Sequence, residues 1–95
     1  MPAYMVVQAT VTNPDQFAGY AERIPAMVEK YGGRYRAQGG EVETLEGEWG
    51  YQALIIVEYP SMEQARTMWH SDEYAELKKL REGAVDLTVL LTDGL

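Results

Sequence analysis

Few side chains in this sequence have the types and spacing that chemistry requires. Arg34 and Tyr35 follow a glycine pair, Gly32-Gly33, at the start of a short strand-like run, where their side chains are expected near the mouth between helices and sheet edge. A guanidinium there could hold a carboxylate or an enolate through its planar fork, or pair with one of the many acids. Tyr35 and Tyr59 could donate a phenolic hydrogen bond to a ligand carbonyl, against the commoner role of packing. His70, the one histidine, is the side chain whose ordinary pKa lies nearest neutrality, which makes it a candidate general acid or base. Its competing role is to bond a free carbonyl at a helix bend. Glu58 is a charge on an otherwise apolar strand, so it must be paired, for example with arginine, or protonated; it is either a catalytic base or half of an interface ion pair. Trp49, in a loop with glycine beside it, is a candidate lid, and Trp69 a candidate wall for a flat ligand, with core packing its competing role.

Other chemistry is excluded or unsupported. With no cysteine there is no disulfide, thiolate nucleophile or sulfur-ligated metal, and one histidine leaves no multi-histidine site within a chain. No metal and no other cofactor is expected; an iron enzyme would have to rely on His70 as a lone axial ligand. The glycine pairs lack the strand, loop and helix context of a phosphate cradle. Acidic residues outnumber basic ones by 15 to 8, for a formal charge of −7, so nucleic acid and anionic membrane surfaces would repel the protein. No basic region followed by a long apolar stretch opens the sequence and no segment approaches a membrane span, so a cytoplasmic location is expected.

The elements that must position these residues follow from periodicity. Residues 4–11 are rich in β-branched side chains and stop at Thr12-Asn13-Pro14, a strand closed by a turn. Asn13 caps a helix with Pro14 at its first position and Asp15 in its first turn. Phe17, Tyr20, Ala21, Ile24, Met27, Val28 and Tyr31 form its apolar stripe. Pro25 within it should kink the helix, and Gly32-Gly33 ends it. Residues 34–38 read as a short strand, with residues 41–45 a second short alternating segment in a small hairpin. Residues 52–59 are the most strand-like run, stopped by Pro60. Ser61 to Gln64 is a capping box opening a second helix, His70-Ser71 a break, and Ser71 a fresh helix start. Tyr74, Leu77 and Leu80 continue the inward face, with Arg81 a further candidate. Residues 85–92 form the last strand.

This β-α-β-β-α-β order over residues 1–95 predicts one domain: a ferredoxin-like α+β fold, a four-stranded antiparallel sheet with two helices on one face. Each strand alternates its side chains between the two sheet faces. One set, including Met5, Val7, Ile55, Val57, Val89 and Leu91, is almost wholly apolar and belongs under the helices. The opposite set still holds Tyr4, Val6, Leu54, Ile56 and Leu90, with only two charges, Glu58 and Asp86. A face that apolar is expected to be covered by a second copy, giving a homodimer through the sheet faces with a barrel-like interior.

The spaced residues Tyr31-Gly32-Gly33-Arg34-Tyr35, Gly39-Gly40-Glu41-Val42-Glu43, Leu45-Glu46-Gly47, Trp49, Glu58-Tyr59-Pro60-Ser61, Trp69, Ser71, Glu73-Tyr74, Leu80-Arg81 and Gly94 resemble those of the domain of unknown function 1330 family, in the dimeric α+β barrel superfamily. The resemblance spans essentially the whole chain. It implies the same fold and sheet-to-sheet dimer, but no reaction. Elsewhere in that superfamily are cofactor-independent oxygenases acting on aromatic polyketides, lactone isomerases and haem enzymes. Gln38 departs from the arginine that the family often places before the paired glycines, and His70 departs from the residues common after the tryptophan. Two functions stay open: a dimer that is structural or binds a small apolar or aromatic ligand, which the scarcity of titratable groups favours, and a cofactor-independent oxygenase or isomerase acting on a small aromatic or carbonyl compound.

Overall fold

The computed structural model describes residues 1–95. β1 (Ala3–Val11) gives way to α1 (Pro14–Lys30) at Asn13, whose side chain accepts a hydrogen bond from the Gln16 amide at 3.2 Å. Pro14 has no N–H to lose at the helix start. Pro25 lies on the exposed side of α1 and does not end it. Gly32 closes the helix with a φ of +83°, a left-handed conformation that costs glycine little. The remaining elements are β2 (Arg34–Gln38), β3 (Ala53–Tyr59), α2 (Met62–Trp69), α3 (Asp72–Lys78), a 3-10 turn (Lys79–Arg81) and β4 (Val85–Asp93).

The sheet runs in the order β2-β3-β1-β4, every pair antiparallel. This is the ferredoxin-like α+β arrangement that the element order predicts, with the helices on one face. Met5, Val57 and Tyr59 from the sheet bury against Tyr20, Met27, Val28, Met68 and Leu77 from the helices. Across the opposite face, the register sets Ile56, Val6 and Leu90 in one row and Glu58, Tyr4 and Thr92 in another. No helix is long and apolar enough to cross a membrane.

The second helical segment is two helices hinged at His70-Ser71, as the fresh cap at Ser71 predicts. The Ser71 hydroxyl donates to the Met68 carbonyl at 2.7 Å and accepts from the Tyr74 amide at 3.1 Å, so one side chain ends α2 and starts α3. The capping box at Ser61 is half formed. Its hydroxyl accepts from the Gln64 amide, but the Gln64 side chain reaches the Tyr31 carbonyl at 3.2 Å instead and ties α2 to the end of α1.

One element differs from expectation. Residues 41–45 form no strand: the chain leaves β2 at Gly39, whose amide still bonds the Leu54 carbonyl, and stays irregular to β3. Alternation alone makes no strand without an edge to pair with. Val42 and Leu45 have nothing to pack on and are exposed, among four glutamates within eight residues.

Gly33 is required for a different reason from Gly32. A Cβ there would lie 2.6 Å from Val28 Cγ1 and 2.9 Å from Tyr59 Cε1, inside van der Waals contact with the core. Gly33→Ala should therefore overpack the junction of α1, β2 and β3 and cost about 1–3 kcal/mol. Urea denaturation should show a lower midpoint at unchanged slope; an unchanged midpoint would refute the close approach.

Candidate functional site: a cavity between helices and sheet

α2 makes close backbone approaches to β1, β3 and β4 as well as to α3, whereas those of α1 are to α3 and the 3-10 turn. The gap left between α1 and the sheet is a cavity of about 230 Å³. Its floor is the inner sheet face, including Val7, Ile55, Val57 and Val89. Phe17, Tyr20 and Ile24 of α1 form its roof, and Met68, Trp69, Tyr74 and Arg81 close the far side.

Most of the lining is apolar, but polar groups converge at one end. The Tyr20 and Tyr74 hydroxyls share a buried hydrogen bond at 2.9 Å. Arg81 donates to the Tyr74 oxygen at 3.5 Å, and its guanidinium carbon lies 5.4 Å from the centre of the Tyr20 ring. The turn carrying Arg81 is held by Gln16, whose side-chain amide donates to the Glu82 carbonyl at 2.6 Å and the Leu80 carbonyl at 3.4 Å. Trp69 packs on Tyr74 with ring centres 5.1 Å apart. Tyr59, fully buried, donates to the Met68 sulfur at 3.1 Å.

Burial governs ionisation here. It raises Tyr20 far above the ordinary tyrosine range, reinforced by the charge and hydrogen bond of Tyr74 and opposed by Arg81. Burial raises Tyr59 as well, with smaller contributions from Tyr35 and Tyr74, and raises Tyr35, helped by Tyr74. Burial alone would lower Arg81, but the hydrogen bond and charge of Tyr74, with those of Tyr20, outweigh it and leave Arg81 raised. At neutral pH Tyr20, Tyr35 and Tyr59 are therefore neutral donors and Arg81 a cation.

Of the residues singled out from the sequence, the structure brings Tyr35, Tyr59 and Trp69 together at this cavity. The others lie elsewhere. Arg34 pairs in register with Glu58 and is exposed on the opposite sheet face, not at the cavity mouth, because alternation turns Tyr35 inward and its neighbour outward. Glu58 lies on that same face in an ion pair with Arg36 at 3.1 Å. His70 caps the C-terminal end of α2, exposed to solvent, and does not line the cavity. Trp49 is also on the opposite face: its indole N–H donates to Gln8 Oε1 at 3.3 Å, and Tyr51 beside it bonds the Thr88 hydroxyl. The loop between β2 and β3 is thus drawn across the outer sheet surface rather than over the cavity. Tyr20, Tyr74 and Arg81 were not singled out from the sequence. Their signal was the inward face of two separate helical segments, one carrying Tyr20 and the other Tyr74 and Arg81 where aliphatic residues would serve packing alone.

A four-stranded antiparallel sheet with its helices on one face defines a ferredoxin-like α+β protein. The chain belongs to the family described as domain of unknown function (DUF1330), whose family model matches residues 2–95. Among solved structures it is similar to RPA0582, a protein of unknown function from Rhodopseudomonas palustris, at 23% identity over 99% of this chain and 82% of that one, with a TM-score of 0.81. It is also similar to hypothetical protein At3g17210 of Arabidopsis thaliana, at 15% identity, 99% and 88% coverage and a TM-score of 0.71. A third is SnoaB, a cofactor-independent oxygenase from Streptomyces nogalater, at 16% identity, 99% and 93% coverage and a TM-score of 0.65. These likenesses show the shared fold. No match was found among curated proteins.

Proposed function

We propose that the protein is a homodimer that binds one small, largely apolar ring compound in the cavity of each chain. The carrying observation is the cavity itself, in which 17 of 20 lining residues are hydrophobic and the polar groups gather at one end, the pattern of a site that grips a ring and orients it. Its volume favours a single ring over a fused system.

Pairing through the outer sheet face is part of the same reading. Four strands of this length present roughly 600 Å² per copy, so two faces bury about 1,200 Å², at the lower end of stable specific interfaces. Tyr4, Val6, Leu54, Ile56 and Leu90 supply its apolar area, and Leu90 is 51% exposed in the single chain. The ion pair of Glu58 with Arg36 lets that carboxylate lie in such a surface without an unpaired charge.

A cofactor-independent enzyme of oxygenase or isomerase type is the second reading, supported by charged and phenolic groups converging on the cavity. Its machinery would be the tyrosines and Arg81, since Glu58 and His70 do not reach that space. Arg34 and Trp49 would then serve the outer face instead.

A thermal-shift panel of single-ring compounds tests the cavity. At a hundredfold excess over Kd a true ligand adds about 2.7 kcal/mol of stability, a rise of about ten degrees or more for a chain this size. Val7→Phe, which fills the floor, should abolish the rise. Uniform absence of stabilisation, or equal stabilisation of Val7→Phe, would overturn the reading.

A further inference from the structure

We infer that the ligand is a small aromatic acid whose carboxylate is seated at the Tyr20, Tyr74 and Arg81 end of the cavity. This rests on the reading of the cavity as a ligand site and adds the chemical class.

The first observation is an arginine without an acid. The ion pairs of the chain are Lys30 with Glu73, Arg36 with Glu58 and Lys79 with Glu76. Arg81 takes part in none of them, although acids outnumber bases by 15 to 8. Its Nε is shut off from solvent and has no hydrogen-bond partner, and the only groups that face its charge are uncharged phenols, Tyr74 through a long bond and Tyr20 beside it. A half-buried cation held this way is under-compensated, and an anion beside it would recover what burial costs.

The second observation is a count of protons. Tyr20 and Tyr74 have two hydroxyl hydrogens, and the bond between them uses one, whichever residue donates. The other has no acceptor in the protein, and the Tyr35 hydroxyl has no hydrogen bond at all. No Asp, Glu or His lines the cavity, and Gln38 is the one side-chain amide there. Unused donors beside a positive charge select a ligand that accepts hydrogen bonds and carries negative charge, and they repel amines.

The third is the shape of the remaining wall. Trp69, Phe17, Tyr35 and Ile24 offer ring-sized apolar surfaces around a space of about 230 Å³. One benzene ring with a carboxylate matches that size.

Calorimetric titration of the intact protein with benzoate and with its neutral isostere benzamide, at pH 7, tests the inference. Benzoate should bind at least about tenfold more tightly, as expected for one charge-assisted interaction, and Arg81→Gln should remove that margin, weakening benzoate by about 10- to 100-fold while leaving benzamide little changed. Tyr74→Phe keeps the charge, and should weaken benzoate several-fold if Arg81→Gln proves misfolded by circular dichroism. If benzamide binds as well as benzoate, the cavity stands as a ligand site and the acid is overturned. A benzoate preference that survives in Arg81→Gln, or benzoate affinity left unchanged by Tyr74→Phe when only that variant folds, overturns the seat. If neither compound nor any other single ring binds, the cavity reading falls with the inference.

Discussion

Leu90→Asp is expected to turn the proposed dimer into a monomer. Leu90 ends the row of Ile56, Val6 and Leu90 across the outer sheet face and is half exposed in the single chain, so an aspartate there is solvated as long as the face is open. Pairing two copies by a two-fold axis would bury two such carboxylates with no cation assigned to either. At about 3 kcal/mol for each uncompensated buried charge, the pair loses about 6 kcal/mol, near ten-thousandfold in Kd. Light scattering at low micromolar concentration should give twice the chain mass for the parent and the single chain mass for the variant, with superimposable far-ultraviolet dichroism. A parent that scatters as a single chain would end the case for a sheet-to-sheet dimer.

The second large effect is alkaline unfolding driven by Tyr20 and Tyr59. Burial favours the neutral phenol in both, so each keeps its proton in the folded protein above the pH at which the unfolded chain gives it up. Above about pH 10 the folded state therefore binds more protons than the unfolded one, and stability falls as pH rises. The stabilisation is fully present below pH 10 and is lost progressively above it. Two groups held neutral give a slope of about 3 kcal/mol per pH unit, enough to exhaust a stability of about 5 to 10 kcal/mol within roughly two to four units. Absorbance at 295 nm and far-ultraviolet dichroism should change together in a cooperative step above pH 11. Tyr20→Phe should flatten the slope by about half. Titration of all seven tyrosines near pH 10 with dichroism intact would contradict the burial of both phenols.

The sheet and its two faces were legible in the sequence because strand alternation is strict in β1, β3 and β4: each inward residue named from the pattern, from Met5 to Leu91, packs toward the helices. Caps were legible for the same local reason. Asn13, Ser61 and Ser71 each accept from the amide three residues on, within reach of their own backbone. The segment at residues 41–45 misled because its alternation is local while pairing is not. What draws that loop is a pair of bonds to Gln8 and Thr88, more than thirty residues away in sequence. Trp49 went with it to the outer face. The candidate site was half legible. Tyr35, Tyr59 and Trp69 could be placed on an inward face, but the meeting of Tyr20, Tyr74 and Arg81 depends on how far α1 stands off the sheet and on the hold of Gln16 on the 3-10 turn. Neither leaves a periodic trace.

At the open flank of the sheet, the register slip between Tyr35 and Ala37 leaves Arg36 as an extra residue on an outer strand. An even ladder of free amides and carbonyls is what a foreign strand, or β2 of another molecule, would need in order to zip on. Here the spacing is broken mid-strand, and guanidinium groups at Arg34 and Arg36 would confront their own copies across a seam between two β2 strands. Sideways growth into ribbons is therefore opposed along β2, next to the greasy surface on the sheet's flat side.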